Sequence, residues 1–223
     1  MKQPSCSTLV YSNNGNMVLL NSINIKKDDL ILDCGCGAGD NAKKLKERGA
    51  KITGITISIT EMEIAKNFCE KVLIANLENG IPSEVDKKFD YIIMSHILEH
   101  LVNPSKLLVD SKKFLKQNGK LIIALPNFLI YYNRFKILFG GFKYTDGGIM
   151  DQTHVRFYSP VLVEQLILDN GLQIEKIIHD GEVPFWIFRK IIPNKIKLVI
   201  SNFLTYKFPS LFSYQTIVIC RNI

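Results

Sequence analysis

The sequence predicts a doubly wound α/β fold: a mostly parallel sheet of seven strands with an antiparallel last strand and an insertion after the fifth. Two observations carry this expectation. Between Asp29 and Leu125, short β-branched runs alternate with segments of helical period, the pattern of βαβ units around a buried parallel sheet. The first strand runs straight into a glycine-rich turn, Gly35-Cys36-Gly37-Ala38-Gly39, that opens a helix. Size agrees, since 223 residues with 47% hydrophobic and 22% charged content suit one well-buried domain over residues 1–223.

Each element has its own signal. Asp29 to Cys34 reads as the first strand, and Asp40 to Arg48 as a helix closed by Gly49. Lys51 to Ile57 is the second strand. Ser58 followed by Glu61 has the capping-box spacing and predicts a helix to about Glu70. Val72 to Ala75 is a short third strand and Phe89 to Ser95 the fourth. Asn103-Pro104 sets a proline in the first turn of a helix that Gly119 ends, and Lys120 to Leu125 is the fifth strand, stopped by Pro126. Residues 126–158 break the alternation with aromatics and two Gly-Gly pairs, the composition of a lid or substrate loop. Ser159-Pro160 restarts a helix that Gly171 terminates. Leu172 to Ile178 is the sixth strand and Gln215 to Cys220 the last, with a hydrophobic and basic insertion, 182–212, between them.

Composition narrows the classes of function. A formal charge of +7 attracts anions, but no Lys/Arg run with interleaved aromatics marks a nucleic-acid groove. Five cysteines, two of them one residue apart in a glycine turn, read as reduced thiols, and Cys34-x-Cys36 lacks the spacing of a zinc knuckle. No apolar run is long enough to span a bilayer, and the first residues show no secretory signal, so the expected location is the cytoplasm.

The turn has the spacing Gly-x-Gly-x-Gly, not the Gly-x-Gly-x-x-Gly of dinucleotide sites, which favours a smaller adenosyl ligand. Leu32-Asp33-Cys34-Gly35-Cys36-Gly37-Ala38-Gly39 resembles the first motif of class I S-adenosylmethionine-dependent methyltransferases. The later order agrees: Ala75-Asn76-Leu77-Glu78 resembles their adenine-side segment, Phe89-Asp90-Tyr91 their fourth-strand motif, and Ile97-Leu98-Glu99-His100-Leu101 their Leu-Glu-His segment. The resemblance implies a Rossmann-like sheet and S-adenosylmethionine as cofactor. It places Asp33, Gly35, Cys36 and Gly37 at the methionine moiety and Asn76 with Leu77 at the adenine, with Ile57 and Ser95 in the same pocket. Thr56 stands where the family usually has an acidic residue that accepts both ribose hydroxyls. A hydroxyl bonds the ribose once and without charge, so Thr56→Asp is expected to tighten binding unless Ser58 or Glu61 compensates. Gly54-Ile55-Thr56-Ile57-Ser58 is also similar to cyclopropane synthases, which use the same cofactor.

His96, Glu99 and His100 lie at i, i+3 and i+4, so a helical turn would put them on one face, with His154 arriving from the lid. The set resembles the Glu-x-x-Glu-His plus distant His of metal-dependent O-methyltransferases acting on ubiquinone precursors and small-RNA 3′ ends, with His96 in place of the first glutamate. It implies a divalent metal gripping two neighbouring substrate oxygens, with preference shifted from magnesium towards zinc, iron or manganese. Leu-Glu-His also occurs in class I enzymes that bind no metal, where His96 or His154 would lead as general base and His100 would pack or act as a base.

Leu125-Pro126-Asn127, Phe142 to Tyr158 and Pro209 to Gln215 resemble a methyltransferase subgroup associated with surface-polysaccharide and glycolipid assembly. The implied acceptor is an oxygen of a sugar or sugar phosphate, held by Asn127 and Asp151, with Arg156 on a phosphate or carboxylate or in a structural ion pair. Phe185, Trp186, Phe188, Arg189, Lys190, Lys195 and Lys197 either rest on the inner face of an anionic membrane or pack on the sheet edge. His179 reads as a surface residue. Two rivals stay open, an RNA-end O-methyltransferase and a cofactor-binding regulator without activity.

Overall fold

The computed structural model describes residues 14–184 and 192–222. In chain order the elements are α1 (Met17–Asn21), β1 (Leu30–Cys34), α2 (Asp40–Glu47), β2 (Lys51–Thr56), α3 (Ile59–Ala65), β3 (Lys71–Ile74), β4 (Phe89–Ser95), α4 (Pro104–Ser111), β5 (Leu115–Pro126), α5 (Tyr131–Leu138), α6 (Pro160–Asp169) and β6 (Leu172–Gly181). After them come two helices of the insertion, here α7 (Asn194–Lys207) and α8 (Pro209–Phe212), and the last strand β7 (Ser213–Asn222). The sheet runs β3-β2-β1-β4-β5-β7-β6. Strands β1 to β5 are parallel, and β7 is antiparallel to both β5 and β6.

Both faces of the sheet are covered, which explains why its central strands are continuously apolar. Leu32, Ile92, Met94, Leu121 and Ile123 face one layer with Leu107, Leu108, Val163 and Ile167 of α4 and α6. Their strand neighbours Ile31, Ile93 and Ile122 face the other with Leu19, Leu20, Ala42 and Leu45 of α1 and α2. Because β1 lies between β2 and β4, the chain leaves it in one direction and returns on its other side. That reversal opens a crevice beyond the carboxyl end of β1, the usual ligand position in such sheets.

Several boundaries differ from expectation. The helix capped by Ser58 stops at Ala65, five residues short of Glu70. Likewise α4 ends at Ser111, and β5 begins at Leu115, well before Lys120. Gly119 is therefore no helix stop: it lies inside the strand where the β4–β5 register shifts, and a Cβ there would sit 2.7 Å from the Phe89 carbonyl oxygen. Gly54, in the middle of β2, is required for another reason. A Cβ on it would lie 2.7 Å from the Cys36 sulfur and 3.2 Å from that of Cys69, so two thiols fill its side-chain space. Cys34, Cys36, Cys69 and Cys220 are all free. Residues 126–158 include helix α5, which the composition did not reveal, and close on themselves through Phe128 N–H to the Tyr158 carbonyl at 2.8 Å. Among the described residues no helix is long and apolar enough to cross a membrane.

Candidate functional site

The glycine turn caps the crevice. Gly35 and Cys36 each donate a backbone N–H to the Ile55 carbonyl at 2.9 Å, which pins the turn to the end of β2. Gly35 has φ +78°, and Ile97 fills the space where its side chain would stand. The Cys36 thiol is folded under the turn over Gly54, so this residue offers the crevice its backbone. Asp33, at the end of β1, is 1% exposed, and neither carboxylate oxygen has a hydrogen-bond partner. Burial alone pushes its carboxyl up to about 7. A buried acid left in that condition lacks the cation or hydrogen-bond donor that ordinarily accompanies one, a need that a cationic or hydrogen-bonding ligand group would meet.

At the end of β2 the structure answers the missing acid. Thr56 Oγ1 donates to Glu61 Oε2 at 2.9 Å and accepts from Ser58 N–H at 3.3 Å. Ser58 Oγ in turn accepts from Glu61 N–H at 3.3 Å, the cap that starts α3. The cap thus delivers a buried carboxylate from the next helix to the strand end. Ile57 stands half exposed next to it. Asn76 uses Oδ1 to accept from Glu78 N–H at 3.0 Å and cap a short turn, while Leu77 is buried. Ser95 Oγ accepts from Asn16 Nδ2 at 3.4 Å.

Across the crevice, Glu99, His100 and His154 present ligand atoms that lie within 4.8 Å of one another. Glu99 is fully buried; no well-aligned hydrogen bond reaches either oxygen, and the nearest polar group is His96 Nδ1, 3.3 Å from Oε1. His154 Nδ1 lies 3.1 Å from the Ile149 carbonyl and His100 Nδ1 3.3 Å from the Thr153 carbonyl. A carbonyl only accepts, so each Nδ1 carries the hydrogen and each Nε2 keeps its lone pair free. The two rings meet edge to face at 4.7 Å. Burial pulls the His154 pKa below its ordinary value despite the pull of Glu99, which keeps this imidazole neutral.

His96 does not join them. The expected helical face is absent because only residues 98–100 form a turn, of 3₁₀ type, and His96 precedes it with φ +54°. Its Nδ1 lies 3.3 Å from Glu99 Oε1 and its Nε2 3.1 Å from Gln215 Oε1. Gln215 is oriented by donating Nε2 to Asp180 Oδ2 at 2.7 Å and by accepting from Asn16 Nδ2 at 2.8 Å. Partial desolvation works against a charge on His96, whose side chain is still 42% exposed, but the contacts with Glu99 and Gln215 outweigh it and raise its pKa. His96 is thereby engaged as the partner of Glu99.

The residues expected to grip a sugar are engaged elsewhere. Asn127 is 1% exposed, its Nδ2 donates to the carbonyls of Ser210 and Ser213 at 3.0 and 2.9 Å, and its Oδ1 accepts from Leu129 N–H. Arg156 donates Nε to the Val102 carbonyl at 3.1 Å. Asp151 accepts from both the N–H and the hydroxyl of Thr153, which holds its carboxyl below the ordinary value against burial and shapes the turn carrying His154. His179 is half buried, 3.3 Å from Thr216 Oγ1. A depression of about 500 Å³ lined by His179, Phe203 and Tyr206 shares no residue with this site. Of the segment 185–191, Phe185, Trp186, Phe188, Arg189 and Lys190 lie outside the described residues. Sequence reasoning missed Gln215, Asp180 and Asn16 as supports of the site. The first two share a β7–β6 register pair that only the sheet topology creates, and Asn16 carries no sequence signal at all.

A seven-stranded sheet of this order, a glycine turn beyond β1 and a buried carboxylate beneath it define a cofactor-binding domain of the class I methyltransferase type. The chain belongs to the methyltransferase-domain family, whose model matches residues 17–177. It is 34% identical over 96 residues to a demethylmenaquinone methyltransferase of Tropheryma whipplei (strain Twist), covering 42% of this chain and 40% of that one. With a ubiquinone biosynthesis O-methyltransferase of Rickettsia akari (strain Hartford) it shares 28% over 152 residues, 66% of this chain and 60% of the other. The chain thus spans 40% and 60% of the length of these two relatives. Among solved structures, a SAM-dependent methyltransferase from Archaeoglobus fulgidus superposes with TM-score 0.63 at 20% identity over 92% of both chains. A putative methyltransferase from Bacillus halodurans C-125 superposes with TM-score 0.62 at 16% identity, covering 93% of this chain and 98% of that one. At these identities the two structures establish a shared fold.

Proposed function

We propose that the protein transfers the methyl group of S-adenosylmethionine to an oxygen of a small acceptor that carries two neighbouring oxygens, with a divalent cation held by Glu99, His100 and His154. The observation that carries this reading is the state of those three side chains. Two imidazoles have their Nδ1 hydrogens fixed on carbonyls and their Nε2 lone pairs free, beside a fully buried carboxylate whose nearest polar neighbour is His96 Nδ1, 3.3 Å from Oε1, and whose Oε2 has no partner. Such a set suits a borderline cation such as zinc, manganese or iron better than magnesium. A cation bound there supplies Lewis-acid polarisation of the acceptor oxygens and lowers the pKa of the one to be methylated.

The chain's own residues do the rest by positioning. Asp33 faces the methionine ammonium, the turn Gly35-Cys36-Gly37 lends its backbone, and Glu61 with Thr56 takes the ribose hydroxyls. Asn76, Leu77, Ile57 and Ser95 line the adenosyl pocket. His96 balances the Glu99 charge, and the carbonyls of Ile149 and Thr153 hold the two imidazoles in one tautomer.

For the acceptor, Asn127 is spent on the carbonyls of Ser210 and Ser213 and Arg156 rests partly on the Val102 carbonyl, so a saccharide reading loses one of its three groups and part of another. The names of the curated relatives support a quinone precursor instead. The test is calorimetry with Zn²⁺ and Mn²⁺ on chelator-treated protein, followed by methyl transfer from S-adenosylmethionine to a catechol and to a sugar diol. One ion per chain is expected, lost in His154→Ala, with transfer to the catechol. Absence of ion binding together with chelator-resistant transfer overturns the metal; transfer to the sugar alone overturns the acceptor.

A further inference from the structure

We propose that the face formed by α5, the loop 139–144 and the outer side of α7 docks on an anionic lipid membrane. The first argument is the distribution of charge. Residues 127–145 and 183–223 contain nine of the 28 Lys+Arg and none of the 21 Asp+Glu, so the whole positive excess of the chain resides in these two segments. The remainder is net negative. Of the nine, Arg134, Lys136, Lys143, Lys195, Lys197 and Lys207 belong to α5, the loop 139–144 and α7, while Arg221 at the far end of β7 lies 3.8 Å from Glu175.

The second argument is exposure of large apolar side chains in the same two segments. Leu138 and Phe139 are 73% and 82% exposed, with Phe135 and Phe142 beside them, and on α7 Leu198, Val199 and Tyr206 are 63%, 69% and 79% exposed. Lys136, Lys143, Lys195, Lys197 and Lys207 are interleaved with them. Isolated exposed apolar residues need no explanation, but aromatic and aliphatic side chains alternating with cations only are the composition of an interfacial surface.

The segments are joined. The Tyr131 ring of α5 lies 6.2 Å from that of Phe212 in α8, and Arg134 Nη2 donates to the Ser210 carbonyl at 3.4 Å. Helix α7 runs into α8 with one residue between them, where Phe208 contacts Phe212 at 6.3 Å. A second copy is a poor occupant, because an isologous contact would set the same cationic face against itself. The location also matters. Helix α5 is the outgoing limb of the insertion whose return limb carries His154, and Phe128 and Tyr158 tie the two limbs at their base. Docking would present the acceptor site to a molecule held in the lipid.

Co-sedimentation of the full chain with phosphatidylglycerol vesicles and with pure phosphatidylcholine vesicles tests this without reference to metal or methyl transfer. Binding is expected to the anionic vesicles and to weaken with salt. The double variant Leu138→Ser/Phe139→Ser is expected to bind about tenfold more weakly, and Lys136→Glu/Lys143→Glu likewise, each with unchanged affinity for S-adenosylmethionine as proof of folding. Equal binding to both vesicle types, or full anionic-vesicle binding by the Leu138/Phe139 variant, overturns the proposal. So does a dimer in sedimentation velocity that the same variant dissolves, which would make the face a subunit interface. Binding to single-stranded RNA with no binding to either vesicle overturns it in favour of nucleic acid.

Discussion

Asp33 makes the strongest single test of the cofactor site. In the ligand-free protein its buried carboxyl is pushed from 3.8 up to about 7 by burial without a partner. An acid whose folded pKa exceeds its unfolded one binds more protons in the folded state between the two values. Its contribution to stability is therefore complete below pH 3.8, falls as pH rises, and is gone above about 7. At 1.36 kcal/mol per pKa unit, the three units amount to about 4 kcal/mol across that window. Denaturant unfolding of the ligand-free protein from pH 5 to 8 should show this slope as the difference between wild type and Asp33→Asn. The slope is the quantity to read, since the buried amide of asparagine adds a constant offset. If Asp33 takes the ammonium of S-adenosylmethionine as proposed, that ammonium displaces a proton below pH 7, so wild-type affinity should rise with pH up to about 7 and level off. In Asp33→Asn the affinity should be weaker and flat with pH. Identical unfolding slopes in the two proteins would refute the reasoning, because Asp33 would then be ionised throughout with a partner of its own.

Gly54→Ala should destabilise the fold by about 1–3 kcal/mol through overlap with the Cys36 and Cys69 sulfurs, and Cys36→Ala in the same chain should restore most of the loss; urea unfolding of the three variants reads both. Asn127→Ala takes the Asn127 donor from the Ser213 carbonyl, leaves that of Ser210 only the Arg134 bond, and should cost about 1–3 kcal/mol in the same assay while leaving the acceptor KM unchanged, whereas a raised KM at full stability would return this residue to the substrate. Thr56→Asp, which the sequence alone predicts to tighten cofactor binding, should instead weaken it, because the new carboxylate faces Glu61 from 2.9 Å away; calorimetry with S-adenosylmethionine decides, and Glu61→Gln should weaken binding as well.

The sheet was legible because its signals are local. A β-branched run next to a glycine turn reports a strand and its ligand-facing end whatever surrounds it, and the βαβ alternation from Asp29 onward gave all five parallel strands. Boundaries failed where tertiary contacts decide them. Gly119 has the look of a helix stop, but the strand already passes through it, and its missing side chain serves a backbone contact with Phe89. In the site, residue types were legible and partnerships were not. Asn127, Asp151 and Arg156 have the chemistry of sugar ligands, and only the folded chain shows that each also bonds to nearby backbone or to Thr153. His96 fell outside its expected cluster because spacing of i and i+4 brings groups together only on a helix, and the chain at His96 is left-handed.

Glu99 ties the proposed cation site to the insertion through two separate groups. Its carbonyl accepts the N–H groups of both Val155 and Arg156, at 3.0 and 3.1 Å, while its carboxylate lies between His96 and His154. The return limb is thus stitched by backbone bonds to the turn that follows β4, and Arg156 adds a further clasp on the Val102 carbonyl. None of these bonds needs a ligand. The three proposed ligands are held in place by the fold, as a site that works by positioning requires. The outgoing limb rests elsewhere: α5 lies against α8, and the loop beyond it is exposed. Acceptor choice can therefore change in residues 131–144 without disturbing Glu99, His100 and His154. Glu99→Gln separates the two roles, since it keeps the carbonyl bonds to the return limb while removing the charge. It should abolish cation binding yet leave the protection of the Val155 and Arg156 amides from hydrogen exchange unchanged. Loss of that protection would show that the carboxylate, and not the backbone, holds the insertion closed.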